Sequence, residues 1–315
     1  RLLLFFPTLF LASLAIFGAM RVIPGDVADV ILSSDEEGAG AVSAEQYRQV
    51  REHLGLTDPL PVQYGKWIWS MVNGEFGGRS IVDREDLSSI IARRFPVTLQ
   101  LTFLTAMIAI SVSLPLGVAA ALYQNRWPDY VVRVVTIAGL SLPNFWVALV
   151  LILLMVIVFS WAPPLFYVNI WDDPQGWMLK AIWPALVLAW GFSSYMARVT
   201  RSSMLEVLRQ DYVRTAWSKG LTERVIIGRH ALRNALIPVV TLSGLQLAGL
   251  LSGTIILESI FSIPGIGQGL VDAATSRDYP VIQSLAMLIV FLILGLNLIV
   301  DVIYALIDPR ISYSH

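Results

Sequence analysis

The sequence predicts an all-α polytopic membrane protein of six transmembrane helices, with an external insertion between helices 1 and 2. Composition is the first reason. Apolar residues make up 56% of the chain, charged residues 14%, and the mean hydropathy is +0.68, whereas a soluble domain has about a quarter of its residues charged. Second, charge-free windows recur at 2–20, 96–125, 134–171, 181–197, 234–257 and 279–300. At 1.5 Å per helical residue, roughly 20 residues cross the hydrocarbon core. Third, a charged stretch at 198–233 interrupts the windows and holds eight of the 22 basic residues around a central Gly220.

Several function classes drop out at once. With 22 basic and 23 acidic residues there is no uncompensated basic face and no nucleic acid partner. The absence of cysteine excludes disulfides, thiolate metal sites and cysteine nucleophiles. No glycine-rich loop ends in Gly-Lys-Ser or Gly-Lys-Thr, so the chain has no recognisable phosphate-binding motor site.

In chain order, residues 1–23 form helix 1. The apolar run exceeds a signal-peptide core, and Arg21-Val22-Ile23-Pro24-Gly25 lacks a small-x-small cleavage pattern, so a retained anchor is expected. The chain opens on Arg rather than Met, and further basic residues ahead of it would strengthen an inward placement. Residues 24–95 form the external insertion, with twelve acidic and seven basic residues across 26–94. Within it Ser43 is placed to cap a helix that runs through Val50 and Leu54 to Gly55, and Leu60, Tyr64, Ile68 and Met71 recur at helical spacing. Asp35, Glu36 and Glu37 are consecutive, which suits a solvated surface better than a ligand set. The core, 96–315, holds helices 2–6.

The window 134–171 is too long for one span, and Trp161, Pro163 and Pro164 predict that its helix ends near residue 160. The short window 181–197 is completed by the approach around Trp177 and Trp183. Pro115, Pro143 and Pro184 are placed to kink spans, and Gly244, Gly249 and Gly253 suggest close packing. Phe261 to Gly269 is rich in turn residues. It reads either as a short re-entrant element or as a turn followed by a surface helix over 269–276. No internal repeat is evident. Arg126, Arg133 and the 198–233 loop mark one side of the membrane, while 161–180 and 258–278 carry one basic residue each. The positive-inside rule puts the former in the cytoplasm, together with both termini and Arg310.

Within 198–233, Leu205, Leu208, Tyr212 and Ala216 can share one helical face while Arg201, Arg209 and Arg214 project elsewhere. Gly220 can end that helix and Thr222 can cap the next, with Glu223 in its first turn and Arg229 and Arg233 toward its end. An ordinary positive-inside surface would show this pattern. So would a corner gripped by a soluble motor, where small Ala216 and Gly220 permit close approach.

The stretch Asp211-Tyr212-Val213-Arg214-Thr215-Ala216-Trp217-Ser218-Lys219-Gly220-Leu221, followed by Arg229 to Pro238, resembles the EAA loop of ABC importer permeases. More narrowly it resembles the dipeptide/oligopeptide/nickel family. Arg214 and Thr215 at the first two motif positions, and Pro238 beyond the usual proline, depart from the general motif and suit the peptide branch. Arg21 to Asp26, His53-Leu54-Gly55-Leu56, Arg94 to Leu99, Leu140 to Trp146, Phe261 to Gly269 and Ile307-Asp308-Pro309-Arg310 extend the likeness to the OppB/DppB-type half over nearly the whole chain. The resemblance implies type I ABC importer permease architecture and a coupling contact at Tyr212, Arg214, Thr215, Ala216, Lys219, Gly220 and Leu221. It also implies a second homologous permease subunit, two ATP-binding cassette subunits that use ATP and Mg, and an extracellular or periplasmic solute-binding protein. The chain itself would bind no cofactor and catalyse nothing. It would lie in the cell inner membrane, carrying dipeptides or oligopeptides by alternating access, with nickel complexes or oligosaccharides as the alternative.

Charged side chains are nearly absent from the windows, which argues against a proton relay or a buried metal cage. Ser141, Asn144, Gln246, Ser252 and Thr254 could line a passage, though polar residues in spans also serve helix packing. An intramembrane protease lacks its paired aspartates or serine and histidine. His53, His230 and His315 are far apart, and Asp301 stands alone near a helix end. An ATP-independent channel or secondary carrier is the remaining alternative.

Overall fold

The computed structural model describes residues 2–22 and 57–307. The expected helix from Ser43 to Gly55, the acidic run at 35–37 and Arg310 lie outside them. Ten helices organise the described residues: α1 Leu2–Val22, α2 Leu60–Val72, α3 Leu87–Leu122, α4 Trp127–Ser141, α5 Asn144–Phe159, α6 Pro174–Leu208, α7 Asp211–Ser218, α8 Arg233–Ile260, α9 Ile266–Ser276 and α10 Tyr279–Ile307. A turn of helix, Glu223–Val225, and a π-helical segment, Ile226–Leu232, lead into α8. Among the described residues, β structure is limited to an isolated bridge between Arg79 and Asp86.

The chain divides into two compact units. The first comprises Arg1–Thr98 and Pro264–Leu294. Its α2 shows the predicted spacing: Tyr64, Ile68 and Met71 pack with Phe17, Trp67 and Met287, while Leu60 stays exposed. The Ser13 and Tyr64 hydroxyls hydrogen-bond at 2.7 Å. Helix α3 begins at Leu87, well ahead of the charge-free window, because its early arginines are paired. Arg93 donates to both Glu85 carboxylate oxygens at 3.0 and 2.9 Å, which holds that carboxyl below its ordinary range. Arg94 donates to the Gly265 carbonyl at 3.2 Å and Asp272 at 3.3 Å. The segment after Phe261 is a turn followed by α9, which starts three residues earlier than the expected surface helix and buries Ile266, Gly267, Gly269 and Ala273. Thr98 Oγ1 accepts from the Ile266 amide at 2.8 Å. Buried Asp278, before α10, accepts from Ser80 Oγ at 2.5 Å and from the Ile81 and Val82 amides at 3.3 Å. The apolar core here joins Leu87, Ile90 and Ile91 to Ile266, Ala273, Val281 and Leu285.

The second unit, Leu99–Ile263 and Gly295–His315, is built around α6. This helix starts where expected, before Trp177, on the Asp173 side chain, whose Oδ1 accepts from the Gln175 and Gly176 amides at 3.1 and 3.0 Å. Sixteen of its 35 residues are buried, so protein rather than lipid covers much of it; α4, α5 and α8 pack against it. Small residues set the spacing. A Cβ on Gly117 would meet the Ala197 carbonyl oxygen at 2.7 Å, and one on Gly253 would meet Leu188 at 2.8 Å. Gly244 closes similarly on Val300.

Beside the expectation of six spans, the described residues hold four helices that pass as membrane-crossing on length and hydropathy alone, containing Leu4–Val22, Leu87–Leu122, Glu223–Gly244 and Tyr279–Val300. The pair α4 and α5 makes a fifth if counted as one broken span, bent by 107°. The third window is therefore two helices. They break at Leu142, which is extended at φ −88, ψ 130 because the following Pro143 disfavours its helical conformation. The end at residue 160 is as predicted, with Ser160 in the left-handed region at φ 48. Pro115 and Pro184, by contrast, lie inside continuous helices. The window 181–197 lies inside α6, which at about 50 Å is long enough to span but includes Lys180, Arg198, Arg201 and Glu206.

Candidate functional site

Two features of the second unit merit construction from their residues: the corner after α6 and the cavity at the α4 to α5 bend. At the corner, the expected continuous helix through Leu205 and Ala216 is broken. Helix α6 stops at Leu208, Arg209 and Gln210 turn, and α7 begins at Asp211, whose carboxylate suits a helix N-terminus. Val213 and Ala216 face inward onto Ile226, Val207 and Leu208. Ala216 is thus small for packing within the corner, with 6% of its surface exposed.

The end of α7 has a defined geometry. The Gly220 amide donates to the Trp217 carbonyl at 3.0 Å and the Leu221 amide to the Ala216 carbonyl at 3.4 Å, the paired bonds of a Schellman motif. This motif needs a left-handed residue, and Gly220 supplies it at φ +73. Thr222 occupies the cap position expected for the next helix, but its side chain makes no capping bond. Tyr212 Oη accepts from Asn234 Nδ2 at 2.9 Å, tying α7 to the start of α8. Thr215 bonds back to the Asp211 carbonyl at 2.9 Å, and Arg214 stays solvent-exposed 3.5 Å from Asp211. The outward face therefore presents Tyr212, Arg214, Thr215, Trp217, Lys219 and Leu221. Trp217 is half-exposed. It was not among the residues singled out from the sequence, although a large aromatic on an otherwise polar helix was a visible signal.

Arg201 does not project outward as the helical spacing suggested. Its guanidinium donates to both oxygens of buried Asp129, at 2.7 and 2.8 Å. Arg133 also binds Asp129, on the same helix one turn on.

The cavity has a volume of about 330 Å³ and is lined from α4, α5, α6 and α8, with Asn144, Tyr195 and Gln246 as its larger polar residues. Asn144, the first residue of α5, is held where helices converge. Gly191 and Gly253 both leave room beside its amide. None of the described residues lining the cavity is charged. Of the five polar residues picked from the sequence, the structure brings Asn144 and Gln246 together here. Ser141 is exposed at the end of α4 and Ser252 is exposed on α8. Thr254 is fully buried, and its hydroxyl donates to the Leu251 carbonyl at 2.7 Å. Gly249, expected to pack closely, borders the cavity instead. Tyr195 and Phe192 join the lining from a window with no sequence cue beyond helical periodicity. Among the described residues, no three His, Asp or Glu side chains come together as a metal site would require.

Residues 113–313 match the family described as binding-protein-dependent transport system inner membrane component, and residues 1–102 match its N-terminal membrane component. A Brucella suis chain, provisionally named a peptide transport system permease protein, is 39% identical over 98% of this chain and 96% of its own. The glutathione transport system permease protein GsiC of Salmonella choleraesuis is 39% identical over 100% of this chain and 98% of its own. A chain from inward-facing structures of the MetNI methionine ABC transporter superposes with a TM-score of 0.54 at 16% identity, covering 70% of this chain and 96% of that one; this likeness concerns the fold. The two family matches and the relatives 39% identical over nearly the whole chain place it in the binding-protein-dependent transport system inner membrane component family, as a non-catalytic permease subunit of an ABC importer whose ATP is hydrolysed by separate subunits.

Proposed function

We propose that this chain is one half of a permease pair that imports dipeptides or oligopeptides by alternating access. Its partners in this reading are a second homologous permease subunit, two ATP-binding cassette subunits using ATP and Mg, and an extracellular solute-binding protein. Residues 198–233 and both termini face the cytoplasm of an inner membrane, and the 24–95 insertion lies outside. Tyr212, Arg214, Thr215, Lys219, Gly220 and Leu221 meet the ATPase, while Ala216 supports them from within. Asn144 and Gln246 contribute to the solute pathway. Ser141, Ser252 and Thr254 belong to the helices that flank it.

The observation that carries this reading is the cavity, with two amide side chains and a phenol on its wall and no charge among its described lining residues, at the middle of α6, the helix whose C-terminal end leads to the corner. Amides donate and accept at once, so they suit a peptide backbone whatever its side chains. The relatives named for peptide and glutathione transport point to the same class, glutathione being a tripeptide. Reconstitution in vesicles tests it. Peptide uptake is expected to require ATP, the ATPase subunits and the binding protein together, and flux without ATP would reject the importer. Co-purifying the binding protein and identifying its retained ligand checks the solute class.

A further inference from the structure

We infer that Asp129, Arg133 and Arg201 form an ion-paired joint that makes α4 and α6 one rigid strut, through which movement of the corner reaches the cavity wall. The inference rests on the importer reading above and adds positioning residues to it. The Asp129 side chain is fully buried. Its Oδ1 accepts from Arg201 Nε at 2.7 Å and Arg133 Nε at 3.0 Å. Its Oδ2 accepts from Arg201 Nη2 at 2.8 Å, Arg133 Nη2 at 2.5 Å and the Asn125 amide at 2.9 Å. A carboxylate withdrawn from water needs such pairing, and two guanidinium forks fix angle as well as distance.

Further contacts continue the seam in antiparallel register. Trp190 Nε1 donates to the Val135 carbonyl at 3.2 Å. A Cβ on Gly139 would run into Ser194 and approach Trp190 Nε1 to 2.9 Å, so the two backbones lie close there. At one end of this seam α6 continues about two turns past Arg201 to Leu208 and the corner. At the other, Gly139 and Leu140 of α4 and Gly191 and Phe192 of α6 line the cavity. Apolar helix faces can slide past each other by 1–2 Å in switching proteins. A forked ion pair at the driven end resists that slip, so a push on α6 moves α4 with it.

Arg201→Lys tests the joint, because it keeps the charge and loses the fork. In the transporter assembled with its ATPase and binding-protein partners, the expected result is at least a fivefold fall in peptide moved per ATP hydrolysed. Complex yield and basal ATP hydrolysis should stay within twofold. An unchanged ratio, including one in which yield, hydrolysis and uptake fall in proportion, would overturn the inference. A second measurement uses the natural sequence at the joint: the chain has no cysteine, so spin labels can be placed at Val134→Cys on α4 and Leu186→Cys on α6, both exposed. Their separation is expected to hold to less than about 1 Å, below the 1–2 Å of a helix slip, between nucleotide-free and ATP-bound assemblies. A larger change overturns the strut alone. Absence of ATP-dependent uptake by the parent protein rejects the importer reading instead, since the label distance does not depend on transport.

Discussion

Gly220 shows how one residue type serves the corner. A side chain built at this position meets nothing within 4 Å, so the constraint is the backbone at φ +73. A β-branched residue held there costs about 1–2 kcal/mol, and the motif that ends α7 is the first structure to yield. Gly220→Val is therefore expected to lower solute-stimulated ATP hydrolysis several-fold in the assembled transporter while membrane insertion stays within twofold. Gly220→Asn, whose side chain tolerates the left-handed region, should retain most of it. Stimulated hydrolysis beside the amount of inserted protein checks both, and normal stimulation in the valine variant would reject the argument. Gly220 was legible in the sequence because a glycine after a periodic helix has a specific backbone use. Ala216 was half legible: a small residue signals close approach without saying to what, and here the neighbours are Val213 and Ile226 of the same corner. The pairing of Arg201 with Asp129 left no trace, since positions 72 apart in sequence share no periodicity.

At the scale of elements, charge-free windows located the helices but misplaced their ends. A window stops at the first charge, whereas a helix continues if the charge finds a partner, as Arg93 does with Glu85 ahead of the expected start of α3. Proline was informative in one place among three. Pro143 breaks the third window because the preceding Leu142 is extended, while Pro115 and Pro184 are absorbed within long helices. Pro143→Ala removes the steric bias at Leu142 and is expected to slow uptake several-fold, with assembly retained, by letting the bend beside Asn144 relax. Uptake rate and complex yield check it, and an unchanged rate would show that the bend is held elsewhere. The segment between α5 and α6 has another kind of support. Lys180, 1% exposed, donates to the Pro164 and Leu165 carbonyls. Lys180→Met leaves those carbonyls without their donor, a loss of about 1–3 kcal/mol, and should raise hydrogen exchange across residues 161–173 with little change at the corner.

At the scale of the molecule, α6 explains why length and hydropathy alone pick out fewer helices than the six windows read from the sequence. Hydropathy counts lipid-facing helices, and a helix with sixteen buried residues need not be apolar in the way lipid demands. The same helix touches both candidate sites: it ends at the corner and contributes Leu188, Gly191, Phe192 and Tyr195 to the cavity. That wall carries amides and a phenol and no charge among its described residues, so it should treat acidic, neutral and basic peptides alike. Placing a charge on it breaks this indifference in a signed way. Gln246→Glu puts a carboxylate beside the passage. At about 8 Å and an effective dielectric near 20, its interaction with a charged peptide side chain is on the order of 2 kcal/mol. Uptake of an acidic peptide should then fall about thirtyfold relative to a neutral peptide of equal length, and that of a basic peptide should change in the opposite sense or become limited by release. Competition between three tripeptides differing in their central residue, delivered by the same binding protein, measures this directly. If Gln246 lies off the solute's path, the three rates fall together or stay unchanged, and the pathway must then be sought on other faces of α8.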